Sequence, residues 1–386
     1  MPPLKKLVCV FLCALFIFSL PLSVSALPND KAQISLAAPS LSAKSAVLLD
    51  ASTNSIICEK DAHTKRAMAS TTKIMTALVA AELCELDRIV SVNAGAVGVE
   101  GSSVYLYAGE KLTMYELLCA MLLESANDAA AAIAFEVGGS IDGFCDIMNN
   151  KAKELDLKNT HFTNPHGLYD EEHYTTAYEL ALIARELLEH EELRKIVSTK
   201  KMTIGTSDST QRVLYNHNKM LSMYDGAIGV KTGFTKKSGR CLVSAAERDG
   251  LTLIAVTIDA PDDWSDHKKL LDIGFENLSS LPLCEKGNVA TTLGVIGGKE
   301  ESISLAYADT LSVTVPKYKA SKIKYSIECY TRYLFAPISY GAVIGKAVFY
   351  LDGEIVATTE LISCAEIERR DKRTDFFEWL KNLFTK

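Results

Sequence analysis

Apolar and polar positions change rhythm several times along the chain, and each change predicts an element. "SAVLLD" and "SIICEK" are short apolar runs on either side of "ASTN", a turn-forming cluster, which predicts a β-hairpin. A helix is expected from Ser70 to about Leu83, with Ser70 at its start, where serine is a favoured cap. From Thr113 to about Val137 the composition is helical, and the middle is apolar on nearly every side, which implies burial in an all-helical region. "SANDA" breaks that run with polar residues that need partners once buried. Thr175 to His190 predicts a further helix. "AIGVKTGFT" then reads as a strand, "GRCLVSAAERDGLTLIAVTIDA" as two longer strands joined at "RDG", and "HKKLLDIGFENL" as a closing helix. The order predicts an α/β fold with an antiparallel sheet and a helical lobe.

Near residue 280 the texture changes. Short β-rich stretches alternate with turns from Leu283 to about Cys364, the pattern of a small all-β sandwich without clustered chemistry. The chain ends "DFFEWLKNLFTK". Phe376, Leu380, Leu383 and Phe384, joined by Phe377 and Trp379, make one wide apolar helical face. Arg369, Arg370, Lys372, Arg373, Lys381 and Lys386 flank it. This predicts an amphipathic helix lying on a membrane surface, in preference to one docked on its own β domain.

At the other end, Lys5 and Lys6 precede an apolar run from Leu7 to Leu20, and "PLSVSA" follows with Val24 and Ala26 at the small-residue positions before a cut. That is a secretory signal pattern. The run is short of the roughly 20 residues of a membrane span. The expected organisation is therefore a signal peptide over 1–26, a first domain over 27–280, a β domain over 281–365 and the tail helix over 366–386. With 386 residues, 48% of them hydrophobic, the chain can bury a sizeable core, and a net charge of −7 without any basic stripe excludes a general nucleic-acid binder. Of ten cysteines, Cys9 and Cys13 lie in the signal. The other eight are scattered without a C-x-x-C pair and read as small core residues, with few or no disulfides expected.

Three short motifs carry the candidate chemistry: Ser70-Thr71-Thr72-Lys73, Ser125-Ala126-Asn127 and Lys231-Thr232-Gly233. Each is weak alone; together they fall in the order seen in penicillin-binding proteins and class A β-lactamases. A serine hydroxyl needs a base before it can attack. Positions i and i+3 share a helix face, so Lys73 can reach Ser70. Burial and a second cation, Lys231, would keep that amine neutral. Ser125 can relay a proton to a leaving group, and Asn127 can hold Lys73 and orient a substrate amide. The strand of Lys231 and Thr232 offers an edge for an extended peptide. The backbone N–H groups of Ser70 and Phe234 are the candidate oxyanion donors.

These motifs, with "NPHGL", "HYTTAYELALIA" and "KKLLDIGF", resemble the serine-type D-alanyl-D-alanine carboxypeptidases, the low-molecular-mass penicillin-binding proteins of peptidase family S11, over nearly the whole chain. The resemblance implies a penicillin-binding-protein/β-lactamase-like transpeptidase fold, a C-terminal β domain and an amphipathic anchor. It implies an exported enzyme at the outer face of the cytoplasmic membrane that acts on peptidoglycan stem pentapeptides. Ser70 would form an acyl-enzyme with release of the last D-alanine, and β-lactams would acylate the same serine. No cofactor or metal is implied. One position departs from the pattern. Many relatives carry an arginine five residues before the first lysine of "KKLL", thought to bind the substrate carboxylate, and here that position is Asp263. Lys231, Thr232 and Arg240 are left for that task.

Other readings compete. A DD-endopeptidase would use the same three motifs. A β-lactamase would need an E-x-x-L-N segment, which "ELDLKNTHF" does not supply. A zinc peptidase would need a ligand set such as H-E-x-x-H, which is missing. His161 and His166 are the best pair for a metal, and shaping a loop is the simpler reading of both. A β-lactam sensor without turnover would have little use for Ser70, Lys73, Ser125, Asn127 and Lys231 together.

Overall fold

The computed structural model describes residues 34–205, 210–370 and Lys381. The expected N-terminal signal lies outside the described residues, as does the expected C-terminal helix over 366–386 except for 366–370 and Lys381. Residues 366–370 are not helical but bridge to the β domain, Ile367 to Ile338 and Arg369 to Gly298. Strands β1 (Ser45–Asp50) and β2 (Ile56–Lys60) form the predicted hairpin. The helical lobe follows: α1 (Lys73–Leu83), α2 (Met114–Leu123), α3 (Asn127–Gly138), α4 (Ile141–Glu154), α5 (Ala177–Glu189) and α6 (Glu191–Ser198). Two small antiparallel pairs brace it, β3 (Ile89–Ser91) with β4 (Lys111–Thr113), and β5 (Lys201–Ile204) with β6 (Arg212–Tyr215). Thr113 starts α2 with a reciprocal capping box to Glu116, which satisfies the backbone donors of both residues.

After the short α7 (Met220–Met223), β7 (Ala227–Thr235), β8 (Gly239–Arg248) and β9 (Leu251–Ile258) complete an antiparallel sheet in the order β2-β1-β9-β8-β7. The β8–β9 turn is Asp249-Gly250, both at positive φ, as a two-residue hairpin requires. Helix α8 (Asp263–Asn277) packs behind the sheet, where Leu270, Leu271 and Phe275 meet Leu48, Leu253 and Ala255. The other face buries α1, α2, α3 and α5 around Ile74, Leu78, Leu118, Met121 and Ile133. β7 is a sheet edge, with one row of backbone groups unpaired within the sheet.

Directly after α8 the chain becomes all β. β10 (Leu278–Cys284) pairs with β13 (Leu311–Pro316). β11 (Val289–Ile296), β12 (Ser302–Tyr307), β14 (Lys324–Cys329), β15 (Tyr333–Phe335), β16 (Val343–Leu351) and β17 (Glu354–Ser363) form a six-stranded sheet. Val313 and Val315 of the small sheet bury against Leu351 of the large one. The apolar positions of β11 do not alternate cleanly, and it is fixed by its partners, antiparallel to β12 and parallel to β15. No helix among the described residues is long and apolar enough to cross a membrane.

Candidate active site

Ser70 does not cap a helix. It lies in a 3-10 turn, Ala69–Thr72, and α1 begins only at Lys73; neither Met68 nor Thr72 makes a side-chain cap. Ala69, before Ser70, is held at φ +48°, so regular helix cannot extend back through it. The turn nonetheless brings Ser70 Oγ within 3.0 Å of Lys73 Nζ. Ser70 is half-buried, whereas Lys73 has no exposed surface.

The other partners of Lys73 Nζ are Asn127 Oδ1 at 2.7 Å and the His166 carbonyl at 2.8 Å. Both can only accept, so they take two of the amine's hydrogens. The Asn127 amide cannot be turned round, because its Nδ2 donates to the Glu100 carbonyl at 2.5 Å. Burial drives the Lys73 ammonium far below the ordinary lysine range, the charge of Lys231 adds to this, and the Asp128 carboxylate opposes it. A neutral Lys73 keeps a lone pair, and the position left for it faces Ser70 Oγ.

Ser125 occupies the break between α2 and α3, at φ +61° and nearly buried. Its Oγ is 3.0 Å from Lys231 Nζ, which also donates to the Thr232 carbonyl at 2.9 Å. Lys231 is fully buried on β7, and burial brings its pKa down to about 7. Gly233 lets β7 approach the Ser70 turn: a Cβ there would stand 3.0 Å from Ser70 N and 3.1 Å from Thr71 N. Phe234 follows with an exposed ring. The three motifs thus converge, and the residues expected as a constellation, Ser70, Lys73, Ser125, Asn127, Lys231, Thr232 and Gly233, are brought together.

Arg240 starts β8 opposite Phe234. Its Nε lies 3.0 Å from Asp263 Oδ2, and its guanidinium sits over the Trp264 ring at 5.9 Å. Asp263, buried in the first turn of α8, therefore holds the exposed arginine beside the end of β7.

From sequence, His161 and His166 have only a loop-shaping role. The segment 161–175 wraps the Ser70 turn. The His166 carbonyl binds Lys73, the Pro165 carbonyl accepts Thr76 Oγ1 at 2.6 Å, and Gly167 lies against Ala69. The half-buried His166 ring is pushed down to about 3, by desolvation first and then by the Lys73 charge, and burial takes His173 to about 4. Asp128 was also missed. It accepts Ser103 Oγ at 2.6 Å and Leu106 N at 3.0 Å, and so fixes the loop that meets Asn127. The signal for Asp128 was its place in the polar break; His166 binds Lys73 through its backbone, which no side-chain motif reports. Among the described residues no group of three or more His, Cys, Asp or Glu could hold a metal ion.

Comparison with known proteins fits this geometry. Residues 32–262 match the D-alanyl-D-alanine carboxypeptidase family (Peptidase_S11), and residues 279–369 match the penicillin-binding protein 5 C-terminal domain. D-alanyl-D-alanine carboxypeptidase DacF of Bacillus subtilis (strain 168) is 32% identical over 387 residues, spanning 98% of this chain and 97% of the relative. The crystal structure of penicillin binding protein 5 from Haemophilus influenzae superposes with a TM-score of 0.70 at 29% identity, covering 86% of this chain and 99% of that one. A peptidoglycan synthesis regulatory factor (PBP3) from Streptococcus pneumoniae, 24% identical with a TM-score of 0.71 over 86% of this chain and 100% of that one, shares the fold. With a likeness that runs through both halves of the molecule, the chain belongs to the D-alanyl-D-alanine carboxypeptidases, penicillin-binding hydrolases of peptidoglycan peptides.

Proposed function

We propose that Ser70 is the nucleophile of this carboxypeptidase and Lys73 its base. The observation that carries the reading is the coordination of Lys73 Nζ, with two acceptor-only partners and Ser70 Oγ in the remaining direction. The Ser70 proton passes to Lys73 as Oγ attacks the carbonyl carbon of the penultimate D-alanine. The N–H groups of Ser70 and Phe234 receive the developing oxyanion. As the C–N bond breaks, Ser125 hands a proton to the leaving D-alanine amine, and the proton held by Lys73 restores it, with Lys231 fixing the serine. Water then hydrolyses the acyl-Ser70 ester and regenerates the hydroxyl. The stem pentapeptide lies extended along the β7 edge, with Asn127 on a substrate amide. Lys231, Thr232 and Arg240 receive the terminal carboxylate, Arg240 standing in for the arginine that Asp263 replaces. β-Lactams acylate Ser70 through their strained amide.

The same reading places the catalytic domain at 27–280 and a spacer or binding module at 281–365. Residues 1–26 direct export, and residues 366–386 hold the enzyme to the outer face of the cytoplasmic membrane. Intact mass with penicillin, alongside D-alanine release from diacetyl-Lys-D-Ala-D-Ala, tests the chemistry in wild type and Ser70→Ala. A one-drug adduct and D-alanine release, both lost in the variant, are expected. No adduct would overturn the assignment, and an adduct without release would favour cross-link cleavage or sensing. Liposome co-sedimentation of full-length protein against a version ending at Cys364 tests the anchor; equal binding would exclude it.

A further inference from the structure

His173 is buried on the segment that covers the Ser70 turn, and no proton transfer above uses it. The Thr163 N–H donates to its Nδ1 at 3.0 Å, so Nδ1 carries the lone pair and Nε2 the hydrogen. Nε2 lies 2.7 Å from Thr72 Oγ1, and Thr72 Oγ1 donates to the Ala69 carbonyl at 2.8 Å. Every direction in this chain is therefore fixed: Thr163 N–H to His173, His173 to Thr72, Thr72 to Ala69.

The Ala69 carbonyl and the Ser70 N–H are two ends of one planar trans peptide and point opposite ways. Whatever holds the carbonyl sets the direction of the N–H. Gly167 closes the carbonyl side, where a Cβ would stand 1.9 Å from Ala69 O and 2.8 Å from Thr72 Oγ1. Gly233 closes the other side, against Ser70 N. The peptide is clamped between them, and a hydrogen bond to its carbonyl also strengthens its N–H as a donor.

We propose that His173 and Thr72 are positioning residues for the oxyanion hole, which aim and polarise the Ser70 N–H through the Ala69 carbonyl. This rests on the reading of Ser70 as nucleophile and of its N–H as oxyanion donor. Loss of the relay weakens transition-state binding and leaves substrate binding intact, so kcat falls and KM does not rise.

Thr72→Val removes the hydroxyl and keeps the shape; Thr72→Ser restores it. Thr72→Val is expected to acylate with fluorescent penicillin about 10- to 100-fold more slowly, somewhat less than loss of a whole oxyanion donor. Affinity for a boronic-acid analogue of the D-Ala-D-Ala end should fall in parallel, and Thr72→Ser should recover most of both. His173→Leu should match Thr72→Val, and the double variant should be no worse than either, since both cut one chain. Wild-type acylation rates in Thr72→Val, additive losses in the double variant, or slow acylation with unchanged boronate affinity would each overturn the proposal. An absent penicillin adduct in wild type would instead overturn the underlying reading of Ser70.

Discussion

Gly167 and Ala69 touch so closely that a Cβ on the glycine would lie 1.9 Å from the alanine carbonyl oxygen. Two residues at positive φ, +89° and +48°, are pressed together in the wall of the cleft. Gly167→Ala must therefore push the Ser70 turn aside as well as strain its own backbone, for which roughly 1–3 kcal/mol is typical. The expected outcome is a lower melting temperature together with a penicillin acylation rate reduced at least tenfold. Unchanged acylation would show that the turn tolerates the shift.

Lys73→Arg puts a guanidinium, which stays charged at any working pH, in place of the amine. Acylation of Ser70 should fall by about 100-fold or more, the usual range for losing a general base. In wild type the burial that lowers Lys73 leaves an acid limb on acylation. Falling pH protonates the amine and slows the reaction, and rising pH restores it. Stopped-flow acylation of wild type and variant across pH reads both effects. A Lys73→Arg rate equal to that of wild type would exclude Lys73 as the base.

Three imidazoles, His173 and His267 buried and His166 half-buried, make stability depend on pH. His166, His173 and His267 sit at about 3, 4 and 3 in the fold, all depressed chiefly by burial, against about 6.5 unfolded. The unfolded chain binds protons that the fold refuses, so their contribution is complete above about pH 6.5 and is lost as pH falls toward their folded values. Each contributes at most about 1.4 kcal/mol per pH unit, so the three together approach roughly 4 kcal/mol per unit near pH 5. His267 lies away from the cleft, bonded to Ser244 Oγ and to Thr257 Oγ1 at 2.9 Å. In urea melts from pH 7 to 4.5, His267→Gln should remove about a third of the slope contributed by these imidazoles. An unchanged slope would mean the ring is not the neutral species.

Arg240 is held over Trp264 by Asp263. If it meets the substrate carboxylate, Arg240→Ala should raise KM for a free-acid D-Ala-D-Ala peptide roughly 10- to 100-fold, the worth of a charge-assisted hydrogen bond. A peptide amidated at the C-terminus should be indifferent to the change. Equal losses on both substrates would remove Arg240 from carboxylate recognition.

Much of this site could be read before any coordinates because its chemistry is written in short local motifs. Ser70 and Lys73 are three residues apart, and the turn at Asp249-Gly250 declares itself by residue type. What stayed hidden depends on distant contacts. Thr72 and His173 are 101 residues apart, and neither position carries a periodic signal. The 3-10 turn at Ala69 has no local warning, since alanine gives no preference for positive φ; the shape is imposed by Gly167 and Gly233 on either side. Asp263 looked like a loss in the sequence because the arginine it positions is on strand β8, 23 residues earlier.

An open strand edge also carries a colloidal risk. β7 leaves one row of backbone donors and acceptors uncapped within its sheet, a template on which another chain can nucleate β-structure. Proteins usually blunt such an edge with a proline or a bulge; β7 has no proline, and its register shift lies at its start, between Ala227 and Gly229, away from Lys231–Phe234. Two exposed lysines, Lys236 and Lys237, stand at the turn just past its end, where like charge keeps a second copy away. Solubility and substrate access are thus governed by the same few residues, and the purified enzyme's shelf life should depend on ionic strength for that reason.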